Sequence, residues 1–209
     1  MKVIRLELGF FKVNCYILCL DNLNIIIDPG SDFNEIEKCL KNEEITPDFI
    51  LNTHGHYDHI SAVPEIIKKY NIPFYIHKLE EPIITDPVKN LSSFFNGNEL
   101  LLKTYNLIEE NNYTYFNDFG LNIINTPGHT PGSIVIKYCG VLFTGDLLFK
   151  GSIGRTDLTG GDSQKIKNSL KILKSMEKDL IIYPGHGESS NLKFEIDTNY
   201  YLNENFLNS

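Results

Sequence analysis

The chain has 209 residues, a length that suits one domain with one large core or a compact double-layered sandwich. Hydrophobic residues make up 42% and charged residues 22%, as in a soluble globular protein. A formal net charge of −8 with no dense Lys/Arg run argues against a general phosphate-backbone binder, and no apolar run reaches the roughly 20 residues that span a bilayer.

The N-terminus, Met1-Lys2-Val3-Ile4-Arg5, interleaves charges with apolar residues and shows no secretory signal, so a cytoplasmic protein is expected. In chain order, strands are predicted over 2–8, 13–20 and 23–27, the last closing at Asp28-Pro29-Gly30. A helix follows from Ser31 or Asp32 as N-cap to about Lys41, with Phe33, Ile36 and Leu40 on one face. Residues 49–51 form a short buried strand, 60–70 a helix striped by Ile60, Val63, Ile66 and Ile67, and 73–77 another strand. The stretch 86–112 is polar and irregular, with Phe94-Phe95 as an exposed aromatic pair. Strands near 113–116, 121–125, 133–138 and 141–144 precede a helix over about 162–176, and 180–183 is a last core strand. Each half thus offers antiparallel strands followed by βα units, which two face-to-face sheets with outer helices would accommodate. The cysteines (Cys15, Cys19, Cys39, Cys139) form no C-x-x-C pair and lie among apolar neighbours, so buried reduced thiols are expected.

The chain has six histidines, and three of them fall in Thr53-His54-Gly55-His56-Tyr57-Asp58-His59. His129 lies in Thr126-Pro127-Gly128-His129-Thr130, His186 in Pro184-Gly185-His186-Gly187, and Asp146 in Phe143-Thr144-Gly145-Asp146. Imidazoles and carboxylates in this number suit a pair of borderline transition metals. Each of these groups directly follows an apolar strand, an arrangement in which a rigid frame supplies ligands from its loops. His77 lies outside the pattern and is expected to be structural. Lys150 is expected to be a solvated charge, and Tyr57 has no catalytic role assigned.

The run His54-Gly55-His56-Tyr57-Asp58-His59, followed by His129, Asp146 and His186, resembles the metallo-β-lactamase fold superfamily. Three further stretches, Thr126 to Ser133, Gly151-Ser152-Ile153-Gly154-Arg155-Thr156-Asp157 and Tyr183 to Gly187, resemble short glyoxalase II-like hydrolases, the hydroxyacylglutathione hydrolase group. The resemblance implies an α/β fold, a four-layer αββα sandwich, as a single domain over 1–209. It implies two divalent metal ions, zinc foremost with iron or manganese as alternatives. His54, His56 and His129 would hold the first, Asp58, His59 and His186 the second, and Asp146 would bridge them. Asp146 stands where class B1 antibiotic hydrolases carry a cysteine, which argues against a lactamase. Arg155 falls where such enzymes place a basic residue against the glutathione part of the substrate. About 22 residues follow Gly187, acidic on balance through Glu195, Asp197 and Glu204 against Lys193, so no C-terminal helical glutathione-binding domain is expected.

The implied activity is hydrolysis of a small-molecule thioester, S-2-hydroxyacylglutathione to 2-hydroxy acid and glutathione, by attack of a metal-bound hydroxide that Asp58 orients. A thiolate with parent pKa near about 8.5 leaves without a general acid, whereas an amide nitrogen needs a proton donor for which no candidate stands out. The rival enzyme is a persulfide dioxygenase with one iron on His56 or His54, His129 and Asp146, and a nuclease or phosphodiesterase of the same fold is a third reading. A closed structural metal site would satisfy about four ligands, fewer than are present. No nucleic acid or membrane partner is expected.

Overall fold

Short apolar runs build the first sheet. The structure, a computed structural model, describes residues 1–95, 99–109 and 113–209. Residues 96–98 and 110–112, part of the stretch expected to be irregular, lie outside the described residues. The chain divides into two compact units, Met1–Ile108 and Glu109–Ser209.

In the first unit β1 (Lys2–Leu8), β2 (Val13–Leu20) and β3 (Leu23–Ile27) form an antiparallel meander at the predicted bounds. The amphipathic helix α1 (Phe33–Asn42) follows, burying Ile36 and Leu40. Asp32 does occupy the N-cap position, but its carboxylate makes no cap hydrogen bond and instead accepts from the Gly9 amide at 2.8 Å. Next come β4 (Phe49–Leu51), α2 (Tyr57–Ile60), α3 (Val63–Tyr70), β5 (Phe74–His77), α4 (Glu81–Ile84) and β6 (Asn106–Ile108). β3, β4, β5 and β6 pair in parallel, giving the sheet order β1-β2-β3-β4-β5-β6. Ile17, Ile26, Ile50, Ile66 and Phe74 are among the buried residues of its core.

Two expectations change here. The helix expected over 60–70 is two pieces, because the Ala62 amide donates to the Pro29 carbonyl (3.0 Å) and the Ser61 hydroxyl donates to the Gly30 carbonyl. The Pro29 carbonyl thereby takes the Ala62 amide, which would otherwise continue one helix, and the Ser61 side chain ties the same loop down. The stretch 86–112 also contains β6, whose three residues are too few for a periodicity to show and gain their order by pairing with β5. Phe94 is exposed as expected, but Phe95 is half-buried, edge-on to Phe11 (4.7 Å) and stacked on Tyr57 (5.9 Å).

The second unit contains α5 (Tyr113–Asn117), β7 (Asn122–Asn125), β8 (Ile134–Tyr138), β9 (Val141–Gly145), the small hairpin β10 (Leu148–Phe149) and β11 (Ser152–Ile153), and α6 (Ser163–Lys174). β12 (Ile181–Pro184), β13 (Ser190–Asn191), α7 (Leu192–Thr198) and α8 (Glu204–Leu207) complete it. The sheet order is β13-β12-β9-β8-β7, with β12 parallel to β9. Leu142, Ile166, Leu170, Ile182 and Leu192 lie in its core. Asp162 caps α6, accepting from the Gln164 and Lys165 amides. The strand expected near 113–116 is a helical turn instead. It buries Phe116 and closes through Gly120 (φ 77°), with Gly120 N donating to Asn117 O and Leu121 N to Phe116 O, a Schellman closure.

All four cysteines are free thiols. Cys15 is buried and Cys19 and Cys39 are half-buried, but Cys139 is exposed with φ 39° at the β8–β9 turn, contrary to the expectation that all are buried. Its place in a two-residue connection with Gly140 leaves no layer to cover it. Among the described residues no helix is long and apolar enough to cross a membrane.

Candidate metal centre

Every predicted ligand follows a strand end. β4 leads into His54, His56, Asp58 and His59, β7 into His129, β9 into Asp146 and β12 into His186. In the first unit the three imidazoles gather closely: ring centroids lie 4.9 Å apart for His54–His56 and 4.1 Å for His54–His59, and all three rings are buried. Asp58 and His59 come from the single turn α2, which sets His59 Nε2 3.7 Å from Asp58 Oδ2.

Asp28 organises this cluster. It is buried at the end of β3 with φ 52°. Its Oδ1 accepts from the Thr53 amide (2.8 Å), and its Oδ2 accepts from the Thr53 hydroxyl (2.6 Å) and faces His59 Nδ1 (3.0 Å). Since the Thr53 hydroxyl donates to Asp28, its lone pair receives the proton of His54 Nδ1 at 3.1 Å. Both imidazoles are thus held as the tautomer whose Nε2 carries a lone pair, the form a metal requires. Glu80, fully buried, holds the loop from the other side by accepting from the Gly55 amide (2.8 Å). Gly30 must be glycine: a Cβ there would lie 1.4 Å from the Asp58 carbonyl oxygen.

The second unit repeats the device. His129 Nδ1 donates to the Arg155 carbonyl (2.8 Å), leaving Nε2 directed at Asp146. Asp146 Oδ2 lies 3.6 Å from His129 Nε2 and 3.7 Å from His186 Nε2. Gly154 lets this loop close, since a Cβ would stand 1.8 Å from the Asp146 carbonyl oxygen. The His186 ring is 27% exposed and Asp146 12%. Asp58 is 22% exposed, while His59 is fully enclosed.

These distances test whether the residues fit a metal. Hydrogen bonds of imidazole to carboxylate run to about 3.2 Å, so 3.6–3.7 Å is too long for one. Two ligands about 2.1 Å from a tetrahedral ion stand roughly 3.4 Å apart, close to what is seen. One oxygen equally spaced from two imidazole nitrogens suits a carboxylate shared between ions. The donor set, imidazole and carboxylate without thiolate, suits zinc, iron or manganese.

Arg155 presents its guanidinium to Asp157 in a two-pronged pair, Nε to Oδ1 and Nη2 to Oδ2, both 2.7 Å. That pair holds the Asp157 carboxyl down to about 2. The contact of Arg155 with the site is its carbonyl on His129. Lys150 pairs with Glu188, and His77 is buried and caps a 3₁₀ turn by accepting from the Leu79 amide. The sequence reading missed Asp28, whose signal was available: it too is a carboxylate at the end of an apolar strand. It also counted Glu195 among acidic tail charges, whereas Glu195 is fully buried and accepts from the Gly151 amide (2.8 Å), Asn199 Nδ2 (2.9 Å) and the Ser190 hydroxyl.

Comparison with known proteins shows the family of the chain. A model of the Metallo-beta-lactamase superfamily matches residues 8–186. The chain is 37% identical to the probable metallo-hydrolase YqgX of Bacillus subtilis (strain 168), over 97% of this chain and 98% of that protein. Among solved structures it is similar to the BLEG-1 B3 metallo-beta-lactamase, with TM-score 0.86 and 36% identity over 96% and 99% of the two chains. It is also similar to TTHA1623 in a di-iron-bound form, with TM-score 0.87 and 31% identity over 96% and 100%. The fold is the metallo-beta-lactamase fold, an α/β architecture of sheets and helices.

Proposed function

The chain belongs to the metallo-beta-lactamase superfamily, and from that premise we propose that it is a metal-dependent hydrolase of thioesters. In this reading His54, His56 and His129 hold one divalent cation, Asp58, His59 and His186 a second, and Asp146 both. The observation that carries it is Asp146 Oδ2, set 3.6 and 3.7 Å from the Nε2 atoms of His129 and His186. The di-iron form of TTHA1623 supports a two-metal centre in a relative. We propose zinc as the resident metal, with iron or manganese as the alternatives for this ligand chemistry.

Bound divalent cations would supply a water made acidic near neutrality and a Lewis acid for the substrate carbonyl. Asp58, partly open to solvent while His59 beside it is enclosed, accepts a hydrogen bond from the attacking water and turns its lone pair towards the carbonyl. The network from Asp28 through Thr53, His54 and His59 keeps these groups from reorganising as charge develops. A thiolate departs unassisted, with parent thiol pKa near about 8.5, so the chain needs no proton donor at the leaving group. The reaction class is therefore thioester cleavage, glyoxalase II-like, on a small molecule.

The test is loss of thioester absorbance with S-lactoylglutathione and with N-acetylcysteamine thioesters, using metal-replete protein and an Asp146→Ala control. Turnover that the control lacks supports the reading, and equal turnover by the control defeats the shared-carboxylate centre. A β-lactam belongs in the same panel because BLEG-1 bears the name of a class B3 lactamase, and an aspartate at position 146 speaks only against class B1. Cleavage of the β-lactam without any thioester would replace this reading, as would oxygen uptake with a persulfide.

A further inference from the structure

Beside Asp58 lies a cleft of about 370 Å³ within the first unit, at the lower end of the roughly 300–1,000 Å³ of ligand pockets. Phe10, Phe11, Val13, Tyr57 and Phe95 line it, together with Ser31, Ser61 and Asp58. The aromatic rings form a continuous series: Phe10 is edge-on to Phe11 (5.4 Å), Phe11 edge-on to Phe95 (4.7 Å), and Phe95 stacks on Tyr57 (5.9 Å). Phe10 is 93% exposed and sits on the turn between β1 and β2. That turn is tied at its base, Gly9 N donating to Asp32 Oδ2 (2.8 Å) and Lys12 N to Gly9 O (3.2 Å). A phenylalanine held in water on an anchored turn, next to the carboxylate assigned to the reacting water, is unfavourable surface until something apolar covers it.

Among the described residues no lysine, arginine or histidine lines the cleft, and its one charged group is the Asp58 carboxylate. An anionic thiol carrier such as glutathione finds no basic side chain there to pair with. The Phe10, Phe11, Val13 and Phe95 side chains favour an apolar group. Resting on the hydrolase reading above, we propose that this cleft receives the acyl portion of the thioester, and that the preferred acyl group is uncharged and apolar, aryl or medium-chain alkyl, with the carrier left outside. The enzyme then discriminates among thioesters chiefly by acyl group.

The experiment compares acetyl and phenylacetyl N-acetylcysteamine thioesters, which share an uncharged carrier, in metal-replete wild type and in Phe10→Ala and Phe10→Ala/Phe11→Ala. The expected wild-type preference for phenylacetyl is about tenfold or more in kcat/KM, the selectivity a small apolar pocket provides. The double variant should lower that ratio about tenfold, mostly through KM. No wild-type preference, or a ratio that both variants leave unmoved, overturns the proposal. A second readout is independent of turnover. The chain has no tryptophan, so Phe10→Trp introduces a sole indole reporter. Saturable change of its emission with phenylacetamide, absent with acetamide, is expected. If wild type cleaves no thioester while this titration saturates, the hydrolase reading fails and the apolar cleft stands; if neither selectivity nor saturation is seen, the cleft proposal fails.

Discussion

Asp28→Asn tests the metal centre at a residue that touches no proposed ion. The carboxylate accepts from the Thr53 amide (2.8 Å) and the Thr53 hydroxyl (2.6 Å) and faces His59 Nδ1 (3.0 Å). An amide of the same shape keeps one oxygen for the Thr53 amide but sets an N–H₂ where Oδ2 received the other two. His59 loses the acceptor that fixes its tautomer, and the Thr53 hydroxyl no longer relays to His54. Two buried bonds lost from a charged acceptor amount to about 3–6 kcal/mol. For a chain of this length, at roughly 2–4 °C per kcal/mol, melting should fall by about 6–24 °C in metal-stripped protein. Affinity for the metal should fall about 10–100-fold, the effect of losing an outer partner of a ligating histidine. Competition with a chelating dye measures the affinity, and thermal melting with and without metal separates it from folding. Affinity within about twofold of wild type (a change under roughly 0.4 kcal/mol) would refute the idea that Asp28 sets the imidazole tautomers.

Gly154→Ala should abolish thioester turnover, since its Cβ would fall 1.8 Å from the Asp146 carbonyl and force that backbone away; full activity with an unchanged melting curve would contradict this. Glu195→Ala should cost about 3 kcal/mol in urea unfolding, because the Gly151 amide and Asn199 side chain lose a buried acceptor. Asp157, held at about 2 by Arg155, contributes stability above its unfolded value near 3.8 and loses it as the pH falls towards 2. Both partners of that pair are mostly exposed, so Asp157→Asn should move the acid unfolding midpoint little, and a large shift would show that the pair braces His129 through Arg155. In native protein a thiol reagent should modify Cys139 first, as the exposed thiol. Burial pushes the Cys15 thiol up, so it should react only after unfolding; a fast phase that survives Cys139→Ser would count against this.

The candidate ligand runs stand out in the sequence because coordination would restrict residue type so severely: histidines and aspartates cluster, and each group follows an apolar strand. The strands of the first meander were legible for an equally local reason, short apolar runs bounded by turn residues such as Asp28-Pro29-Gly30. What local pattern could not reach was order imposed from elsewhere in the chain. β6 exists because β5 offers it a parallel edge. The break before α3 exists because the Pro29 and Gly30 carbonyls capture Ala62 and Ser61. Residues 113–117 look like an alternating strand and are a helical turn because Phe116 has to be buried ahead of a glycine that turns the chain. The same distinction divides the site. Sequence alone named the candidate donors, since their chemistry belongs to their side chains. Only the tertiary structure decided that Asp28, Glu80 and the Arg155 carbonyl would hold them, because an outer hydrogen bond depends on where the backbone brings an acceptor, and many residue types can supply one.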